Sequence, residues 1–391
     1  MTSRHALLTS LLSGREGRRE EAAVLELLAE MDAAELDQVM AEVDADALFR
    51  GVDDRLIGPD NHTALRTLLM DRLADLGIKA RANLAYGLQA GRTDTADEAA
   101  IRDIFLAGNG EQLTRLKNQL NMRHDAHDLE GLVFNDVDDD EVRAVILEHI
   151  ATQAASVQPD KAKVLSDIDD TVLCALHDRR FPKGIVYPGV LALFDALDHG
   201  PHAEPFSTGD LTFVTARPGD AFGLMENHTR DALRKAGIST GTHVMTGALV
   251  NLVTRDLMAS KKVANIRDYR ALFPEYRIMF MGDSGQGDMI VAEALRKEYD
   301  DVLDLAMIHD VVGVPDEEKQ RLADLGVVLV ETWIGGATLA YDAGLISAEG
   351  LARVGTEAFR ALDEVPWQSP EQERATRALF ERDRAVAAER S

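Results

Sequence analysis

Ser166-Asp167-Ile168-Asp169-Asp170-Thr171, entered from the apolar pair Val164-Leu165, places three carboxylates where a short buried run ends. Working outward, similar apolar runs recur at 211–215 (LTFVT), 243–245 (HVM), 277–281 (RIMFM), 303–308 (LDLAMI) and 327–330 (VVLV), each separated from the next by longer stretches with helical spacing. Short buried strands alternating with helices predict an α/β domain with a doubly wound parallel sheet. In such a sheet the functional groups gather at the carboxyl ends of the strands.

Toward the N-terminus the pattern changes. Residues 1–152 read as helix after helix, with apolar residues three and four apart, as in Val24, Leu27, Leu28 and Met31. An offset of 77 pairs Leu36, Val39 and Val43 with Leu113, Leu116 and Leu120, and pairs Glu21 and Val24 with Glu98 and Ile101. This predicts an all-helical domain built from a duplicated unit, 20–75 and 97–152. The small polar stretch 151–163, with Pro159, reads as the linker to a catalytic domain at 153–349, and the charged tail 350–391 as a helical extension. The acidic run from Asp136 to Glu141 lacks the glycine and terminal glutamate of a calcium loop and reads as a helix start.

Composition sets the outer limits. The chain has 391 residues, 46% of them hydrophobic, enough for two buried cores. A net charge of −26 gives no diffuse attraction for nucleic acid or an anionic membrane, so such a partner must be met locally. A single cysteine, Cys174, rules out a disulfide framework or a cysteine-built zinc site and fits a reducing cytoplasm. No run of about 18 apolar residues is long enough to span a membrane.

The chemistry sits in four motifs taken in chain order. In the first, Asp167 and Asp169 leave one strand two residues apart, which suits a nucleophile and an acid/base working on one phosphoryl group. In the second, Thr215 closes a buried strand and, with Ala216 and Arg217, is expected to hold phosphoryl oxygens. In the third, Lys261 and Lys262 offer the cation needed among packed negative charges. In the fourth, Gly282-Asp283-Ser284-Gly285-Gln286-Gly287-Asp288, two acids in a glycine-rich turn suit a hard cation, Mg2+. The expected metal set is Asp167, the carbonyl of Asp169, and Asp283, with Asp288 binding a metal-held water or orienting the lysine.

This ordered set resembles the haloacid dehalogenase superfamily over about residues 161–345. The forms SDIDDTV, YPGV (187–190), VTARP, Lys262-x-x-x-Ile266 and GDSGQ resemble more narrowly the catalytic domain of actin-patch-protein-type phosphatidate phosphatases, related to the lipins. The resemblance implies a HAD-like Rossmannoid fold and Mg2+-dependent conversion of phosphatidate to diacylglycerol through an aspartyl phosphate. It assigns the roles to Asp167, Asp169, Thr215, Lys262, Asp283 and Asp288, with Lys262 preferred to Lys261 on its spacing to Ile266. Met289 stands where that family commonly has proline, and His309 where it has arginine. The intervals 167–187 and 217–260 leave no room for a full cap, so a phosphate on something large is expected, such as a lipid surface, a protein or a nucleic-acid end. The alternatives are a soluble or protein-borne phosphoester, and a scaffold whose helical region binds a partner. Arg179, Arg180 and Lys183 would supply local positive charge.

Overall fold

The computed structural model describes residues 3–12, 18–52, 61–89, 93–122, 128–158, 162–201, 211–218, 243–247 and 255–390. The chain divides into two compact units: residues 1–157 with 271–274, and 158–270 with 275–391.

The first unit is helical throughout its described residues: α1 (Ser3–Leu12), α2 (Arg18–Glu30), α3 (Ala33–Glu42), α4 (Ala45–Gly51), α5 (Asn61–Asp71), α6 (Ile78–Leu88), α7 (Thr95–Leu106), α8 (Glu111–Asn121), α9 (Leu129–Gly131) and α10 (Asp140–Ala154). Aspartates open several of these helices by accepting the backbone N–H groups that a helix start leaves unpaired: Asp32 for α3, Asp44 for α4, Asp94 for α7 and Asp139 for α10. Asp139 to Glu141 of the acidic run thus form a helix start, while Asp136 ends the helical turn before it.

The 77-residue offset has a structural counterpart. It carries α2 onto α7, α3 onto α8 and α5 onto α10, and Leu36, Val39 and Val43 are buried like Leu113, Leu116 and Leu120. The buried carboxylate of Glu21 accepts from Asn61 Nδ2 at 2.6 Å at the start of α5. Glu98 Oε2 accepts from the Asp139 backbone N–H at 3.0 Å at the start of α10. α10 continues to Ala154 and the first strand begins at Ala162, so the expected linker 151–163 shortens to 155–161, and Pro159 lies outside the described residues.

The second unit holds a six-stranded sheet of β1 (Ala162–Ser166), β2 (Leu211–Pro218), β3 (His243–Gly247), β4 (Arg277–Asp283), β5 (Leu303–His309) and β6 (Val327–Val330). Every pairing is parallel and the order is β3-β2-β1-β4-β5-β6. Strand order therefore reverses at β1, the point at which a parallel sheet opens a crevice at its carboxyl edge. Ile278, Met279, Phe280 and Met281 of β4 are all fully buried, as a strand covered on both faces requires.

Met279, Met281 and Met307 pack with α11 (Val190–His199) and with three helices near the end of the chain, given below in order. Between these elements run α12 (Arg255–Leu272), α13 (Asp288–Tyr299) and α14 (Asp316–Asp324). The three closing helices are α15 (Trp333–Asp342), α16 (Ala348–Asp363) and α17 (Pro370–Ala388). The tail expected at 350–391 as an extension is thus part of the domain core. Leu351, Val354, Ala358 and Leu362 form one buried stripe on α16, and Phe380 of α17 joins them.

Candidate active site

Register brings the motifs to one edge. Ser166 is level with Phe213 of β2 and Met281 of β4, and Asp283 is level with His309 of β5. The Asp167 N–H extends the β1–β4 ladder by donating to the Met281 carbonyl at 2.8 Å. Asp167 and Asp283 thus leave neighbouring strands at the crevice. Thr215, Ala216 and Arg217 occupy the carboxyl end of β2, but their side chains lie outside the described residues. Most of the interval 217–260 that was expected to lack a cap also lies outside them.

α12 delivers the cation. Lys262 Nζ donates to Asp167 Oδ1 and to Asp288 Oδ1, both at 2.6 Å, and all three side chains are buried. Burial alone would push the ammonium pKa down, but the two carboxylates more than reverse this and raise it. Lys261, one residue away, is half-buried and makes neither contact. Burial raises Asp167 to about 7, Lys262 opposes the rise, and the Asp288 and Asp169 charges add to it. Asp283 is also held well above its ordinary value, first by burial and then by the Asp288 and Asp167 carboxylates.

Asp167, Asp283 and Asp288 each offer a carboxylate oxygen within 4.8 Å of the others. Asp167 Oδ2 is buried with no hydrogen-bond partner. Hard oxygen donors, clustered negative charge and an unsatisfied acceptor fit a divalent cation. Asp288 fits a supporting role best, because Oδ1 holds Lys262 while Oδ2 accepts the Asp283 N–H at 3.1 Å. Asp169 is half-buried and contributes its backbone carbonyl beside the Gln286 amide, 3.4 Å away.

Gly282 allows this approach. A Cβ there would lie 2.5 Å from Asp288 Cβ and 2.7 Å from its Oδ2. Gly282→Ala is therefore expected to push Asp288 off Lys262, lowering stability by about 1–3 kcal/mol, measured by urea unfolding.

Several groups were not legible from motif reading. Asp170 adopts φ +59°, a left-handed conformation that aspartate tolerates better than most residues. Its carboxylate accepts the backbone N–H groups of Ala175, Leu176 and His177 at 2.8, 2.9 and 2.5 Å, folding the segment after β1 back on itself. Burial would raise its pKa, but these three donors lower it. The segment closes with Cys174 N–H donating to the Ile185 carbonyl and Gly184 N–H to the Cys174 carbonyl.

Of the three flap cations only Arg180 is turned inward; Arg179 and Lys183 are exposed. Arg180 forks onto Asp178, with Nη2 to Oδ2 at 2.8 Å, and Lys183 Nζ donates to the Asp178 carbonyl at 3.2 Å. Cys174 is a buried core thiol, its pKa raised by burial.

His309 completes the floor. Arg180 Nη2 donates to its Nε2 at 3.0 Å, which leaves Nδ1 to donate to the Asp170 carbonyl at 2.8 Å. Trp333 Nε1 donates to the Thr171 carbonyl at 3.0 Å, fixing the same loop from the α15 side. Burial, with the Arg180 charge adding to it, lowers His309 to about 4. A folded value below the unfolded one of 6.5 means that the unfolded chain gains a proton first as pH falls. Stability linked to this group is complete above pH 6.5 and is lost between 6.5 and about 4, by about 3 kcal/mol in all. His309→Phe should be less stable at pH 7 but show a shallower loss across that window, followed by denaturant unfolding at stepped pH.

No family model, curated protein or solved structure matches this chain.

Proposed function

We propose that the second unit is a divalent-cation-dependent phosphomonoesterase of the haloacid dehalogenase type, using an aspartate nucleophile. Within that class, the particular activity proposed is conversion of phosphatidate to diacylglycerol. The observation that carries the class is Lys262 shared between Asp167 and Asp288 at the carboxyl edge of a parallel sheet, beside Asp283. The lipid substrate rests on the resemblance of SDIDDTV, YPGV, VTARP and GDSGQ to the phosphatidate phosphatases.

In the proposed reaction an Asp167 oxygen attacks phosphorus and forms an O–P bond as the P–O bond to the leaving alcohol breaks. Asp169 gives its proton to the departing oxygen. It then takes a proton from water, whose oxygen attacks phosphorus, frees inorganic phosphate and restores the Asp167 carboxylate. Lys262 opposes the rise that burial imposes on Asp167 and offsets the charge of the arriving phosphate. Thr215, with Ala216 and Arg217, holds phosphoryl oxygens.

Asp167, Asp283 and the Asp169 carbonyl would hold Mg2+, with Asp288 behind them. When bound, the ion supplies charge neutralisation at the phosphoryl oxygens. A second reading, a soluble or protein-borne phosphoester, is favoured by the net charge of −26, which repels an anionic bilayer. A panel of phosphatidate micelles, sugar phosphates, nucleotides and phosphopeptides, each with Mg2+ or EDTA, tests both. Mg2+-dependent release from phosphatidate above the others supports the lipid, preference for a soluble ester supports the second reading, and no release from any ester sinks the enzyme.

A further inference from the structure

Among the groups around the acidic cluster, Gln286 stands apart because its side chain touches two of the expected cation ligands at once. Its Nε2 donates to the Asp169 carbonyl at 3.4 Å and to Asp283 Oδ2 at 3.3 Å. Both contacts are long for N–H···O bonds, hence weak. The Gln286 backbone N–H is anchored separately, to Asp283 Oδ1 at 3.1 Å, so its side chain can turn away without moving the loop.

The third expected ligand, Asp167 Oδ2, is buried and has no hydrogen-bond partner. A carboxamide brings the positive end of a dipole to these oxygens but no net charge. It therefore offsets only part of the burial and the neighbouring carboxylate charge that raise Asp167 and Asp283.

We propose that Gln286 is a positioning residue that stands in for the cation: its NH2 group holds the Asp169 carbonyl and Asp283 together while the site lacks an ion, and it must release both before the ion is bound. The inference rests on the cation-dependent reading above. It adds that cation affinity is set in part by a side chain that competes with the ion for the same oxygens. Breaking two weak hydrogen bonds costs affinity, and removing them in advance returns it.

Gln286→Leu keeps most of the volume and removes the donors. Calorimetric titration of the full chain with Mg2+ should show the variant binding about five- to tenfold more tightly than wild type, while its melting temperature in EDTA falls. Gln286→Ala should shift both in the same directions and serves if the leucine variant does not fold. In the wild-type chain the Gln286 side-chain amide resonances should move on Mg2+ addition.

Weaker or unchanged Mg2+ binding by a folded variant, or amide resonances that stay put while the wild type binds Mg2+, overturns the inference and leaves the phosphatase reading standing. A wild-type chain that binds no Mg2+ removes that reading and the inference with it.

Discussion

Asp167→Asn should abolish Mg2+-dependent phosphate release, by about 10^3-fold or more, while the chain stays folded. The amide is nearly the shape of the carboxylate, so packing at this buried position changes little, and Lys262 keeps Asp288 as its partner at 2.6 Å. What is lost is the anionic oxygen that would form the bond to phosphorus. Release of phosphate from an aryl phosphate, with circular dichroism as the control for folding, checks it. Residual turnover within tenfold of wild type would show that Asp167 is not the nucleophile. Asp169→Asn should cost less with an aryl phosphate than with an alkyl phosphate, because a better leaving group needs less help from a proton donor.

Lys262→Met should give the largest loss of stability in the second unit, about 3–5 kcal/mol near pH 7 in EDTA. The substitution preserves the apolar stem but leaves Asp167, Asp283 and Asp288 packed together without a cation. The penalty should shrink at pH 5. Asp167 already stands near 7 with the lysine present, so its folded value lies above the unfolded one near 3.8, and the folded chain takes up the proton first as pH falls. Mg2+ should restore part of the loss if the cluster holds the ion. Lys261→Met should change stability by no more than about 0.5 kcal/mol, which makes the neighbouring residue a direct control. Urea unfolding at the two pH values, with and without Mg2+, measures all four effects.

The two lysines show where reading from sequence stops. Both sit on α12, and helical periodicity alone gives no reason to prefer one. The spacing to Ile266 pointed to Lys262 only through resemblance. The choice is made by contacts 95 and 26 residues away in the chain, to Asp167 and Asp288. Asp170 is a similar case. It follows a recognisable pair of acids and reads as one more of them, yet its carboxylate is consumed by three N–H groups of the turn that it folds. Flap cations Arg179, Arg180 and Lys183 were open to a role in substrate attraction, but the buried carboxylate of Asp178 draws Arg180 inward, while Arg179 and Lys183 stay exposed.

The motif on which the strands turn, Ser166 to Thr171, was legible because it depends on local order: a short apolar run, then acids, then a change of period. The six strands, the helical first unit and its 77-residue echo were visible for the same reason, since side-chain periodicity repeats every two or every 3.6 residues whatever lies far away in the chain. Tertiary structure alone decided which groups meet. It set the unpartnered oxygen of Asp167, the Gln286 amide across Asp169 and Asp283, the neutral His309 between Arg180 and the Asp170 carbonyl, and the tail helices that complete the core. These depend on burial and on hydrogen bonds spanning over a hundred residues, such as the 139 between Asp170 and His309. Their energies come from desolvation and from the pairing of charges in a dry interior, which exist only once distant strands have brought the groups together.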